Sequence, residues 1–207
     1  MTFDYVAPFY DRLAHLVFGR TLERAQLALL GRFSTGGNWL LVGGGTGWLL
    51  EQVLNYCGPT TVLYLEASER MLELARKRID NQAFLTKIEF RLGTETALTE
   101  ADSFDVILTP FVLDLFTEDW LHNQMIPCLL KTLKPSGFWL VTDFVPTTVW
   151  WHRLLVKTMQ LFFQVTAGIQ SHRLSDWMPL LKTRLHLVAQ QAALNGMIQS
   201  ALFKQSS

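Results

Sequence analysis

A chain of 207 residues, 49% of them apolar, is long enough to bury the core of one domain. Its eighteen basic residues balance eighteen acidic ones, so no net field gathers polyanions and no basic stripe marks a nucleic-acid partner. The greasiest stretch, 145–169, is broken by His152, Arg153 and Lys157, which excludes a membrane-spanning helix there.

The N-terminus, Met1-Thr2-Phe3-Asp4-Tyr5, carries an acid and lacks the basic, apolar and small-residue order of a secretory leader, so the chain reads as cytoplasmic. A helical stretch runs from about Pro8 to Phe33 and breaks at Ser34-Thr35-Gly36-Gly37. Trp39 to Val42 reads as a short buried strand, followed at once by Gly43-Gly44-Gly45-Thr46-Gly47. Trp48 to Tyr56 is helical and stops at Cys57-Gly58-Pro59. Thr61 to Leu65 is a second strand, and Ser68 to Arg78 a helix capped by Ser68. Ile88 to Leu92 and Phe104 to Leu108 are the third and fourth strands. Trp120 to Leu133 is a helix ended by Lys134-Pro135-Ser136-Gly137, and Phe138 to Thr142 the fifth strand. Strands alternating with helices predict an α/β fold with a parallel sheet covered on both faces.

From Thr148 to about Val165, Arg153, Lys157, Gln160 and Gln164 recur at helical spacing and leave a wide apolar arc. Trp150, Trp151, Phe162 and Phe163 on this helix suit core packing, a lid over an apolar substrate, or peripheral membrane contact; a polar stripe with only two cations weighs against the last. Asn195-Gly196 is the strongest hairpin signal and pairs Leu187–Leu194 with Met197–Phe203, although the Ala- and Gln-rich first arm also suits a helix. Cys57 and Cys128 lie in apolar helical patterns, without disulfide or zinc spacing, and read as reduced core thiols. His15, His172 and His186 share no ligand spacing with any acid or cysteine, so no metal is expected.

In open parallel sheets, ligands bind beyond the carboxyl ends of the strands, where the first strand-to-helix turn brings bare backbone to them. Gly43, Gly45 and Gly47 put no Cβ in the way and permit positive φ, while Thr46 offers a hydroxyl to the ligand or the turn. Glu66, 23 residues after Gly43 and at the end of the second strand, is positioned to accept hydrogen bonds from two ribose hydroxyls. The pattern predicts an adenosyl-type ligand. A dinucleotide fingerprint needs a glycine three positions beyond its second one, where this chain has Trp48, so NAD and an oxidoreductase fit less well.

The Gly-x-Gly-x-Gly loop resembles motif I of class I S-adenosylmethionine-dependent methyltransferases. Leu41 to Gly47 matches that motif, Glu66 to Leu72 the ribose-binding segment, and Leu133 to Phe138 the turn before the fifth strand. Taken in order along the chain, they are similar to small-molecule enzymes of the ubiquinone and menaquinone biosynthesis type. The resemblance implies a Rossmann-like, doubly wound, seven-stranded, mostly parallel sheet with its last strand antiparallel and helices on both faces. S-adenosyl-L-methionine would lie across the ends of the first, second and fourth strands. The implied single domain over 1–207 has an N-terminal helical lid (1–33), a cofactor-binding core (38–144), a helical substrate cap (148–182) and a C-terminal β-hairpin (185–204). By the same carry-over, Ala67 belongs to the ribose segment, Met71 packs near the adenosine, Thr94 and Glu95 sit at the adenine edge, Thr109 lies near the methionine part and Tyr10 closes over the cofactor. Two positions depart from the family pattern. Leu41 stands where an acid usually precedes the first loop glycine by two, and Thr94 replaces the adenine-edge aspartate.

Methyl transfer from a sulfonium is an in-line displacement, catalysed largely by holding attacker and methyl at near-attack distance. For a hydroxyl acceptor a general base helps, and Asp143, after the fifth strand, and Asp114, after the fourth, are the acids best located for it. The expected acceptor is a small apolar or aromatic molecule. Leu41 and the lack of an obvious base leave a second reading open: a cofactor-binding or regulatory protein without turnover.

Overall fold

The central strands of the chain carry near-continuous apolar runs, which is what a sheet covered on both faces requires. In the computed structural model, which describes residues 18–80, 82–146 and 174–206, these runs form β1 (Asn38–Val42), β2 (Thr61–Glu66), β3 (Lys87–Leu92), β4 (Phe104–Pro110) and β5 (Leu133–Phe144). A C-terminal hairpin adds β6 (His186–Ala193) and β7 (Ile198–Lys204). The seven strands lie in the order β3-β2-β1-β4-β5-β7-β6, all neighbours parallel until β7, which runs antiparallel to both β5 and β6. The order reverses between β1 and β4, the crevice where doubly wound sheets bind ligands.

Two apolar layers sandwich the sheet. On one face α2 (Trp48–Tyr56) buries Leu49, Leu50, Val53 and Leu54, and α3 (Glu69–Ile79) buries Met71, Leu72, Ala75 and Ile79, each at the three- and four-residue spacing of an amphipathic helix. Ser68 caps α3 by accepting the Met71 N–H at 3.2 Å. The other face is covered by a helical run over 118–132, here α4, and by α5 (Trp177–Lys182), whose Leu121, Met125, Ile126, Leu129, Trp177 and Leu181 share one core with Leu40, Val42, Ile107 and Val141.

Several boundaries differ from the sequence reading. The N-terminal helix does not run unbroken to Phe33: among the described residues α1 (Thr21–Leu27) follows a left-handed Gly19, and Leu30–Arg32 is a separate 3-10 turn. Helix α4 begins two residues before Trp120, capped by the Thr117 hydroxyl, and widens to a π turn over Leu121–Met125. Pro127, early in the following α segment, has no N–H to give, and the wider turn absorbs that missing bond. Strand β5 starts at Leu133 and not at Phe138. Leu133 already pairs with Phe104 before the Lys134-Pro135-Ser136-Gly137 segment bulges out, with Ser136 at φ 61°, and pairing resumes at Phe138 with Val106. The final hairpin resolves as strand and strand, with Ala193 opposite Ile198 and left-handed Leu194, Asn195 and Gly196 in the turn. Among the described residues no helix is long and apolar enough to cross a membrane.

Candidate functional site

The loop after β1 is shaped by its glycines. Gly43, Gly45 and Gly47 have φ of 65°, 61° and 84°, the left-handed region that L side chains rarely adopt. Two of the three are also needed for space: a Cβ on Gly43 would strike Val112, and one on Gly47 would lie 2.8 Å from the Ala75 Cα of α3. Gly45 faces open space. Gly44 rests on the buried Leu41 side chain and the Tyr64 ring. Leu41 thus supplies a hydrocarbon floor beneath the loop.

Glu66 closes the loop from the neighbouring strand. Its Oε2 accepts the Gly45 N–H at 3.0 Å and its Oε1 the Ser68 N–H at 3.0 Å. Burial pushes its carboxyl pKa up, against the pull of the N–H groups of Ser68, Gly45 and Ala67. Tyr64, two residues earlier and on the same face of β2, donates its hydroxyl to the Gly45 carbonyl at 2.8 Å. Arg78, on α3, donates from Nε to the Thr46 carbonyl at 2.9 Å and from Nη2 to the Thr46 hydroxyl at 3.4 Å, so that hydroxyl faces α3. Around this loop, Met71 is buried and Ala67 is exposed. Thr94 is exposed, with its hydroxyl 3.0 Å from that of Thr96, and Glu95 is buried and accepts the Cys128 thiol on its carbonyl at 3.2 Å. Cys57 is a core thiol; Cys128, expected in the core as well, is only half-buried because its side of α4 meets the Glu95–Ala97 turn.

The ends of β4 and β5 form the other half of the site. Thr109 is fully buried and accepts the Trp139 indole N–H at 3.0 Å. Phe111 turns the chain at φ 54°, its N–H donating to the Thr142 carbonyl at 2.7 Å. Next comes a 3-10 turn, Leu113–Leu115, whose leading amides converge on one carboxylate: Asp143 Oδ2 accepts the N–H groups of Val112, Leu113 and Asp114 at 3.1, 2.7 and 3.3 Å. Asp143 Oδ1 accepts the Phe144 N–H at 2.8 Å. Asp143 is therefore the organiser of this turn, where the sequence suggested a free base. The Ser175 hydroxyl lies between the carbonyls of Leu113 and Phe116 and holds the turn from the opposite side.

Asp114 hydrogen-bonds to Asp143 through its carboxyl, while its Oδ1 lies out of solvent with no hydrogen-bond partner among the described residues. Burial pushes the Asp114 carboxyl up to about 6, and burial together with the neighbouring Asp114 charge pushes Asp143 well above the usual carboxylate range. Two carboxyls in contact out of water oppose each other's ionisation.

The structure thus brings Gly43, Gly45, Thr46, Gly47 and Glu66 together at the end of β1 and β2, and sets Asp114 and Asp143 together at the ends of β4 and β5. Tyr10 and the helix expected over 148–165, with Trp150, Trp151, His152, Phe162 and Phe163, lie outside the described residues. Sequence reasoning missed Tyr64 and Arg78. The period-two spacing of Tyr64 and Glu66 at a strand end was a usable signal for the first; nothing local links Arg78 to Thr46.

Comparison with known proteins follows the same geography. Residues 40–137 match the methyltransferase domain family. The chain is 33% identical over 110 residues to a probable cobalt-precorrin-6B C(15)-methyltransferase (decarboxylating) of Thermoplasma volcanium, covering 51% of this chain and 55% of that protein. It is 29% identical over 139 residues to the demethylmenaquinone methyltransferase of Lactobacillus johnsonii, covering 65% of this chain and 56% of that one. The chain therefore spans only about half the length of these curated relatives. A solved complex between the Haloferax volcanii Trm112 methyltransferase activator and a methyltransferase contains a chain of the same fold, with a TM-score of 0.70 at 16% identity over 99% of this chain and 98% of that one. The matched span opens inside β1 and closes in the bulge of β5, carrying the glycine loop, Glu66 and the β4 turn with it, so the part of the chain that builds the site is the part similar to the methyltransferase domain family.

Proposed function

We propose that this chain binds S-adenosyl-L-methionine at the glycine loop and transfers its methyl group to a small, apolar or aromatic acceptor in the cytoplasm. The observation that carries the reading is Glu66. Its carboxylate spans from the left-handed Gly45 to the cap of α3, and keeps acceptor capacity for ribose hydroxyls beside the open side of Gly45. Met71 offers an apolar contact for the adenosine, and Thr94 and Glu95 a polar edge for the adenine. When bound, the cofactor supplies a methyl carried on a sulfonium. The chain's own task is to orient that methyl against an acceptor and keep water out.

Neutral net charge disfavours nucleic acid as acceptor. One relative is named for demethylmenaquinone, which supports an apolar acceptor. A second reading, cofactor binding without turnover, is favoured by one observation: the loop floor is Leu41 where the family carries an acid.

Thermal melting with S-adenosylhomocysteine, S-adenosylmethionine and NAD tests the reading. A ligand at a hundred times its dissociation constant stabilises by about 2.7 kcal/mol, which is several degrees for a chain of this size. Shifts with the sulfur nucleosides and none with NAD are expected, and Glu66→Ala should abolish them while folding persists. A shift with NAD alone would overturn the assignment. Turnover to S-adenosylhomocysteine with phenols, quinols or amines separates the two readings.

A further inference from the structure

We propose that Arg91 is the positioning residue for the base end of the cofactor: it clamps the turn at 94–97 into a fixed wall that limits which purines the site accepts. This rests on the reading of Thr94 and Glu95 as the adenine edge, and assigns the residue that sets that edge.

Arg91 is the penultimate residue of β3, and each of its guanidinium N–H groups has an acceptor. Nε and Nη2 donate to Glu89 Oε1 at 3.0 and 2.7 Å. Nη1 and Nη2 fork onto Asp102 Oδ2 and Oδ1 at 2.7 and 3.2 Å, and Nη1 also donates to the Ala97 carbonyl at 3.1 Å. Asp102 Oδ2 in turn accepts the N–H and the hydroxyl of Thr99 at 2.7 and 3.0 Å. One side chain on the sheet therefore ties down two successive stretches of the connection between β3 and β4. The Arg91 and Asp102 side chains are only 23% and 13% exposed, so this fork is partly shielded from water and is stiffer than an open surface pair.

The clamped turn stands beside the ribose acid. Strand β2 has β1 on one side and β3 on the other, and Glu66 is opposite Leu92. The Gly93 N–H donates to the Glu66 carbonyl at 2.9 Å. The chain then reverses so sharply that a Cβ on Gly93, at φ 148°, would lie 2.8 Å from the Ala97 Cβ. The glycine loop takes the β1 side of Glu66, so a ribose held on Glu66 directs its base to the β3 side, against the turn. Thr94 and Thr96 are exposed there, with their hydroxyls 3.0 Å apart, while Glu95 between them is buried. Ala97 and Leu98 seat the far end of the turn on the core, and the fork on the Ala97 carbonyl stiffens the span from there back to Gly93. The Cys128 thiol on the Glu95 carbonyl is a weak donor and adds little to that stiffness.

A wall held by a charged fork does not yield to a larger ligand. A methyl added to the N6 amine of adenine presses on the turn, and displacing the turn means breaking a bidentate geometry. Loosening the fork therefore costs affinity for adenine and at the same time admits the larger base. General loss of stability would weaken both ligands alike.

Calorimetry on the full chain with S-adenosylhomocysteine and its N6-methyladenine analogue tests the assignment. The wild type should bind the analogue about tenfold more weakly, or worse. In Arg91→Ala, affinity for S-adenosylhomocysteine should fall about fivefold while the analogue loses little, so the ratio shrinks to about threefold or less. Arg91→Lys should keep an intermediate ratio, because an ammonium engages Asp102 or the Ala97 carbonyl without the fork. Asp102→Asn, which keeps the shape and loses the charge, should shift the ratio the same way, and it carries the test if Arg91→Ala does not fold. A wild-type ratio retained by folded Arg91→Ala, or by Asp102→Asn where only that variant folds, overturns the proposal. A wild type that binds both ligands equally overturns it too. Failure of the wild type to bind S-adenosylhomocysteine refutes the cofactor reading itself, and this proposal with it.

Discussion

Tyr64 donates its hydroxyl to the carbonyl of Gly45 at 2.8 Å, while Glu66, two residues along the same strand, takes the N–H of that same glycine at 3.0 Å. One residue of the loop is thus gripped on both its backbone groups by β2. Tyr64→Phe removes one grip and leaves a carbonyl to find water. The expected cost is about 1 kcal/mol of stability and a several-fold loss of S-adenosylhomocysteine affinity. Calorimetry on the variant checks it, and unchanged affinity would mean that Glu66 alone sets the loop.

Arg78 holds the next residue. Its guanidinium reaches both polar groups of Thr46 and lies 3.7 Å from Glu51, tying α3 to the loop and to α2. Arg78→Ala should lower stability by about 1 to 2 kcal/mol, read as a lower denaturant midpoint with the slope unchanged. Arg78→Lys should recover little, since one ammonium cannot reproduce the fork.

The loop glycines should separate stability from binding. Gly47→Ala adds a methyl 2.8 Å from the Ala75 backbone at a positive φ and should cost about 2 kcal/mol or more, seen as a drop in Tm. Gly45→Ala meets open space, so its strain of about 1 kcal/mol is the whole folding cost. Its affinity for S-adenosylhomocysteine should fall further than its stability does. Equal losses in both variants would disprove a ligand-facing Gly45.

Asp114 makes a prediction about pH. Its folded carboxyl titrates near 6, above the value of about 4 for an unfolded aspartate, so its contribution to stability is whole below about 4 and lost as pH rises through 6. Above that range the buried charge destabilises the fold by on the order of 2 to 3 kcal/mol. Asp114→Asn should therefore melt several degrees above the wild type at pH 7.5 and close to it at pH 4.5. Parallel melting curves across that range would show that burial does not raise the Asp114 carboxyl.

What could be read from the sequence was whatever the chain encodes locally. Helix α2 is bounded as read, because the glycine loop opens it and Cys57-Gly58 closes it, and Ser68 caps α3 as its hydroxyl suggested. The left-handed turns at Gly43, Gly45 and Gly47 were equally legible, since only glycine adopts them freely. Longer-range features were hidden. Lys134-Pro135-Ser136-Gly137 has the composition of a terminator, yet Leu133 is already in the sheet, a fact decided by Phe104 on another strand. Asp143 gathers amides that lie 29 to 31 residues away, and Arg78 meets Thr46 across 32; both contacts exist only once the sheet order is set. Cys128 shows the same limit, because an apolar pattern cannot say which neighbour leaves a gap.

Leu41 and Tyr64 beneath Gly44 have a further consequence. The Leu41 side chain beneath Gly44 is uncharged and buried, so this part of the loop's seat, unlike the grips of Glu66 and Arg78, is set by volume. Its weak point is the size of the Leu41 side chain. A shorter side chain there would leave a void under Gly44 and a longer one would lift it, so the loop's fit follows methylene by methylene.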